Sequence, residues 1–343
     1  MYYITEGNFA VLLDGLKTEY DVYVPVKKDK QRFYKKYTEF SADIVIGEVR
    51  AFEPLKSFFS LARGIVARGF SPEIPKLCEK PLCIVGVKAC DLKGFKIQDH
   101  VFNDHDCPDS AYRSLRQNNL IISSDCTLCI DTCFCLSIGL KPYPQEEFDI
   151  NLSQVSGGFI VESGSNKGKD LIAKNSSLFE NPKSHSITGK NEARAKVTKD
   201  VERNIQDSGV PYQESFENII ERNYESKIWE EEANTCVECG ACNTICPTCH
   251  CFLLYDQKNE KNMARLRIWD SCMIKDFARV AGGANPRAKL WMRLRNRFDK
   301  KFDFFPKVAK TYACTGCGRC ISACPAKIDI RKVLKRLVGD AKR

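Results

Sequence analysis

The sequence predicts two domains of different class: an α/β unit at residues 1–165 and an α+β, mostly helical unit at residues 211–343. Three observations carry this. Short β-rich runs alternate with helical spacing through the first part, the pattern of an α/β fold. The composition then turns polar over 166–210, a connecting region rich in Lys, Asn, Ser and Asp. Beyond it one cysteine phrase occurs twice, its copies separated by a long insertion at 248–311.

In chain order, residues 8–16 carry apolar side chains at helical spacing, and 20–26 alternate as a strand. Residues 43–47, 82–87, 120–123 and 158–162 are short β-rich runs bounded by Gly, Pro, Asp or Asn, with a helix at 56–67 between the first two. Their strand order is not legible. Short helices are predicted at 167–175 and 192–206 in the connecting region. Residues 211–233 read as one helix turning Phe216, Ile219, Ile220, Tyr224 and Trp229 towards a core, and it leads straight into Cys236. A basic amphipathic helix at 328–343 closes the chain.

The repeated phrase is C-x2-C-x2-C-x3-C-P: Cys236, Cys239, Cys242, Cys246, Pro247, and then Cys314, Cys317, Cys320, Cys324, Pro325. This is the ligand run of a two-cluster bacterial ferredoxin, in which the fourth thiolate ligates the partner cluster. Three thiolates two residues apart on a tight loop can cap three corners of an iron cube, and Gly240, Gly316 and Gly318 permit the turns. The second unit is therefore ferredoxin-like and dicluster. Cys236, Cys239, Cys242 and Cys324 are expected to hold one [4Fe-4S] cluster, and Cys314, Cys317, Cys320 and Cys246 the other. The competing readings are a disulfide framework or zinc ribbons, but zinc sites pair two C-x2-C knuckles and do not need a fourth Cys-Pro.

A second thiol group lies in the α/β unit. Cys90 follows one predicted strand and Cys126 another, at edges where such folds present functional side chains, and Cys133 and Cys135 follow closely. If the two strands are neighbours, these four cysteines make a third cluster site, with Cys129 as a substitute ligand. Core packing and a structural zinc are the alternatives. Cys78, Cys83 and Cys107 lack metal spacing and read as core residues. Cys249, Cys251 and Cys272, with His250, fall within the insertion. They are expected to shield the adjacent cluster rather than hold another metal, since a soft four-ligand set would need His250 or a distant group.

Composition bounds the rest. A chain of 343 residues suits two domains with separate cores, and nineteen cysteines fall well below the density of a disulfide-stapled secreted chain. Residues 1–6 lack a basic region leading into an apolar run, and no stretch approaches the roughly 20 apolar residues of a membrane span. Reduced thiolates without an export signal imply the cytoplasm, and oxygen-labile clusters an anaerobe. The net charge of +9 is concentrated at Arg279, Arg287, Lys289, Arg293, Arg295, Arg297, Lys300 and Lys301, which read either as a solvated helix face or as a docking surface for acidic partners. Nucleic-acid binding is not expected, because no recognised reading module accompanies the charge.

Beyond the ferredoxin phrase, four segments carry a wider resemblance: Cys246-Pro-Thr-Cys249-His-Cys251, Arg265 to Met273 with Trp269-Asp-Ser-Cys272, Ala281-Gly-Gly-Ala-Asn-Pro-Arg287, and Cys126 followed by Cys133-Phe-Cys135. Along nearly its whole length the chain resembles the family of 4Fe-4S dicluster proteins that includes the iron–sulfur relay subunit of anaerobic sulfite reductase and the NAD(P)-linked hydrogenase β-subunit. It departs at Cys129, where a proline or ordinary loop residue is expected, and at Ala284, where a histidine is common. The resemblance implies a non-catalytic electron-relay subunit of a hetero-oligomeric oxidoreductase complex. One partner would be an FAD-containing, NAD(P)H-dependent reductase subunit. The other would be catalytic: a sulfite reductase, a hydrogenase or a heterodisulfide-reductase-like module.

Chemistry of the chain's own is hard to find in the sequence. The segment 164–169 fails the P-loop glycine spacing, and no G-x-G-x-x-G with a downstream acid is present. His100, His105, His185 and His250 form no paired helical set, and no serine elbow is visible. Two rival readings remain: a flavin- or deazaflavin-dependent subunit with flavin in the α/β unit, and a cluster-based nucleic-acid sensor.

Overall fold

The structure is a computed structural model that describes residues 1–69, 71–72, 79–104, 106–212, 215–258 and 263–341, so Cys78 and His105 lie outside the described residues. Its strands are β1 (Tyr2–Thr5), β2 (Asp21–Lys28), β3 (Gln31–Lys36), β4 (Arg63–Arg68), β5 (Ser71–Pro72), β6 (Leu82–Val87), β7 (Leu120–Ser124), β8 (Ile150–Val155), β9 (Gly158–Ser163), β10 (Phe252–Lys258) and β11 (Met263–Trp269). The described residues form a seven-stranded sheet ordered β1-β9-β8-β7-β6-β2-β3 and a four-stranded sheet ordered β10-β11-β4-β5. In the larger sheet β2, β6, β7 and β8 pair in parallel, while β9 runs antiparallel to β8 and β1, and β3 antiparallel to β2. Mixed α and β structure is thus present, with the cysteine repeat at its carboxyl-terminal end.

β6 explains how the sheet is buried on both faces. Cys83 and Val85 enter one apolar layer with Phe9, Leu13, Val22, Ile122 and Val161, whereas Leu82 and Ile84 enter the other with Phe59, Phe95 and Tyr112. Strict alternation would then put residue 86 on the second face. Instead Gly86 adopts φ +75 and the register to β7 shifts between Val85 and Val87, so Val87 takes that place. This bulge bends the strand end that delivers Cys90, and an added Cβ at Gly86 would stand 2.8 Å from Pro25 Cγ.

Several local expectations were overridden by tertiary pairing. Residues 56–67 form only one helical turn, Lys56–Phe59, because the following Gly-Ile-Val run pairs as β4 with β11 in the insertion. Residues 43–47 are not a strand, and only Ile44 makes a bridge, to Val26. The single helix expected at 211–233 is two short ones, Ile219–Arg222 and Ile228–Ala233. Asn218 stands in the left-handed region before the first helix, and Trp229 Nε1 donates to Asn223 O at 2.7 Å to fold the second back. Phe216, Ile219, Ile220 and Trp229 are buried as expected, whereas Tyr224 is exposed. The helices Asn166–Lys174, Ser184–Ser208 and Ile330–Ala341 match the expected elements, the second extended by a turn or more at its start. Among the described residues no helix is long and apolar enough to cross a membrane.

Candidate metal centres

Each copy of the cysteine phrase is built on the same local device. Gly240, at φ +72, starts the turn Ala241–Thr244 that carries Cys242, and Gly318, at φ +69, starts Arg319–Ser322 carrying Cys320. A residue with a Cβ would be strained at either position. Cys236, Cys239, Cys242 and Cys324 line one cavity together with Met273, Leu294, Arg297 and Ile328. The fourth thiol of the second phrase therefore lies with the first three of the first phrase. Conversely, burial raises the Cys314 and Cys320 thiols, the latter to about 12, and charge on Cys246 raises both further. Cys246 Sγ also lies 3.1 Å from Thr248 Oγ1, which donates to Ala313 O at 2.7 Å, so Cys246 stands beside the start of the second phrase.

The third group also converges. β6 and β7 are parallel neighbours, so Cys90 and Cys126 emerge side by side from their carboxyl ends. Cys90, Cys126, Cys129, Cys133 and Cys135 line one cavity with Val49, Arg50 and Cys317. Phe134 N–H donates to Gly316 O at 2.8 Å, tying this loop to the second cysteine phrase. Burial raises Cys90, Cys133 and Cys135 and pushes Cys126 up to about 12 and Cys129 to about 11. Thiolates here would need a positive partner such as bound iron.

The donor set and its surroundings fit iron–sulfur cubes. All the converging donors are sulfur, and among the described residues no group of three His, Cys, Asp or Glu side chains is arranged for a single metal ion. Buried cations with unpartnered N–H groups line the same cavities: Arg297 through Nε and Nη2 at the first, and Arg50 through Nη2 at the third. Such donors suit an anionic cluster, whose sulfurs accept hydrogen bonds and whose potential they tune.

These cations were missed as site residues in the sequence. Half of the basic run proves to be neither a solvated face nor a docking surface, since Arg293, Arg295, Arg297 and Lys301 are buried. Arg293, Arg297 and Lys301 recur every four residues, which puts them on one face of the helix Leu290–Asp299 and its continuation. Arg293 pairs with Glu238 at 2.7 Å, beside the first phrase. Lys301 Nζ donates to Cys246 Sγ at 3.4 Å, Thr248 Oγ1 at 3.0 Å and Ala313 O at 2.9 Å. Burial alone would lower its pKa, but charge on Cys246, Cys249 and Cys314 outweighs this and raises it. Arg319, inside the second phrase, is wholly buried against Asp91, whereas Lys327, just after it, is exposed.

The remaining candidates sort differently. Cys249, Cys251 and Cys272 gather beside the first two sites, with Asn243 Nδ2 donating to Cys249 Sγ at 3.4 Å and to Cys272 Sγ at 3.3 Å. His250 does not join them. Its ring packs against Phe102 and Phe305, and burial holds it near pKa 4, hence neutral. Cys83 is a core residue as expected, but Cys107 is exposed. The glycine-rich segment 164–169 is no phosphate cradle: Ser165 Oγ donates to Asp149 at 2.6 Å and caps its own helix.

Comparison with known proteins follows the same lines. Residues 235–328 match the family model described as a 4Fe-4S dicluster domain. Over 328 residues the chain is 30% identical to sulfhydrogenase 2 subunit beta of Pyrococcus furiosus, and the match covers 95% of each chain.

Proposed function

The chain belongs to the hydrogenase β-subunit family of 4Fe-4S dicluster electron-transfer proteins, and from that premise we propose that it relays single electrons between two partner subunits. One partner carries FAD and takes electrons from NAD(P)H. The other is a catalytic redox subunit of the hydrogenase, sulfite reductase or heterodisulfide-reductase-like kind.

One observation carries the reading: the thiol sets share walls. Cys320, from the second set, lines the cavity of the first, and Cys317, also from the second, lines the cavity of Cys90, Cys126, Cys133 and Cys135. Three one-electron carriers in such a row would form a path rather than isolated structural sites. The bound clusters supply the redox couples. The chain's own residues space them, exclude water with Met273, Leu294 and Val49, and set local charge through Arg297, Lys301 and Arg50. Cys239 is exposed, which leaves the first centre near the surface for exchange with a partner.

Anaerobic purification of the full chain with iron analysis tests the proposal, and about twelve irons per chain are expected for three cubes. NAD(P)H should reduce them only when the flavoprotein partner is added. Flavin bound by the isolated chain, or reduction by NAD(P)H without a partner, overturns the pure-relay reading.

A further inference from the structure

We propose that strand β10 is a docking edge, completed in the assembled complex by an extended, acidic segment of the partner that exchanges electrons with the first centre. β10 ends the four-stranded sheet, and among the described residues it pairs with β11 alone. Its first three residues are apolar: Phe252, Leu253 and Leu254 are 43, 49 and 47% exposed. Successive side chains of a strand point to opposite faces, so Leu253 and Leu254 open both faces of β10 to water at once. Folded chains guard a free edge with charge, proline or a bulge, and none of these stands at 252–255. An unpaired row of backbone N–H and C=O groups flanked by apolar side chains is the surface to which an added strand binds.

The hairpin stands on the first centre. Ser271, two residues past β11, packs on Gly240, where an added Cβ would lie 3.1 Å from Ser271 Cβ and 3.3 Å from Ile274 Cδ1. Gly240 follows exposed Cys239, and Val237 and Ile274 add exposed apolar surface beside it. The edge therefore continues into the surface through which the first centre would meet a partner. Charge selects the occupant. The four strands carry Arg63, Arg68, Lys258, Arg265 and Arg267 against one acid, Asp256. Two copies paired edge to edge would set these basic sheets side by side in a chain of net charge +9, so a second copy is disfavoured and an acidic strand is favoured.

The partner's identity rests on the relay reading, whereas strand addition is read without any electron transfer. Hydrogen exchange followed by mass spectrometry compares the isolated full chain with the intact complex, isolated anaerobically from the native host through a tag on this chain. Those amides of 252–258 that β11 leaves free should exchange about tenfold more slowly in the complex, because an added strand takes up their N–H groups. Leu253→Ser combined with Leu254→Ser should weaken association about tenfold. It should leave the iron content and the unfolding midpoint of the isolated chain unchanged, since both side chains already meet water. Added salt should weaken association as well, by screening the basic sheet.

Equal exchange of these amides in the chain and in the complex overturns the proposal. Protection that grows with the concentration of the isolated chain overturns it in favour of a second copy, and protection by vesicles of anionic lipid overturns it in favour of a membrane surface. A complex in which NAD(P)H reduces the clusters while β10 stays unprotected keeps the relay reading and removes the docking edge. Protection without such reduction does the converse. The comparison on the parent chain stands whether or not the variant folds.

Discussion

Arg319 and Asp91 form an ion pair of 2.9 Å with both side chains almost wholly shielded from water, at 0% and 1% exposure. The pair joins the second cysteine phrase to the helix Ala89–Phe102 that begins beside Cys90. Arg319 also donates to the carbonyls of Ala51, Phe52 and Glu53, so one guanidinium pins the Arg50–Glu53 loop as well.

Removing Asp91 strands that guanidinium. Asp91→Asn should destabilise the chain by about 3–5 kcal/mol in denaturant unfolding, the usual cost of leaving one buried charge unpaired. It should also raise the midpoint potential of the nearest centre, since an uncompensated cation favours the reduced cluster. Arg319→Gln should shift the same potential downwards. Shifts of the same sign in an EPR-monitored redox titration would rule out a direct electrostatic role for the pair.

Among the described residues Arg297 pairs with no carboxylate and its Nε and Nη2 find no acceptor, although it lines the cavity of Cys236, Cys239, Cys242 and Cys324. Its pKa is raised because charge on Cys242 and Cys320 outweighs its desolvation. Arg297→Gln should make the first centre harder to reduce, by about 60 mV for each ~1.4 kcal/mol of attraction lost. The titration curve of that variant decides the matter, and an unchanged potential removes Arg297 from the tuning residues.

Gly316, inside the second cysteine phrase, packs directly against the loop of the third site. It adopts φ +61, and an added Cβ would meet Cys135 Cα at 2.5 Å and Cys135 N at 2.6 Å. Gly316→Ala should therefore push the Cys133–Cys135 loop away and release about four irons of the expected total. Iron analysis with EPR of the surviving signals checks this.

Two cysteines with different surroundings make a controlled comparison. Cys83 lies at 0% exposure in the sheet core, with burial raising its thiol, and it lines neither thiol cavity. Cys83→Ser should cost about 1–3 kcal/mol of stability through a buried hydroxyl and leave iron unchanged. Cys126→Ser should do the reverse, reducing iron and the associated visible absorbance with a smaller effect on the unfolding midpoint of the iron-free chain.

Much of the site was legible because a metal cluster writes its ligands as one residue type at fixed spacing. Cys236 to Cys246 and Cys314 to Cys324 needed no tertiary information to stand out as ligand runs, and the exchange of Cys246 and Cys324 is an expectation of the phrase itself. The convergence of Cys90 with Cys126 was conditional on strand order, which sequence periodicity does not encode. The buried cations were misread for a different reason: a basic helix face looks the same in sequence whether it meets water or an anionic cavity, although the four-residue recurrence of Arg293, Arg297 and Lys301 was a usable signal.

The sequence by itself determined the chemistry, since thiolate type and spacing choose iron–sulfur cubes, and determined the main strands, since β6, β7 and β9 are apolar enough to demand burial. Tertiary structure alone decided what stands between the centres. Only when residues 63–68 pair with 263–269, and Arg319 reaches Asp91 across 228 positions of chain, do the thiol sets acquire shared walls and buried counter-charges. Such contacts depend on non-local packing, where the free energy of a charge is set by which partners exclude water from it rather than by its neighbours in sequence.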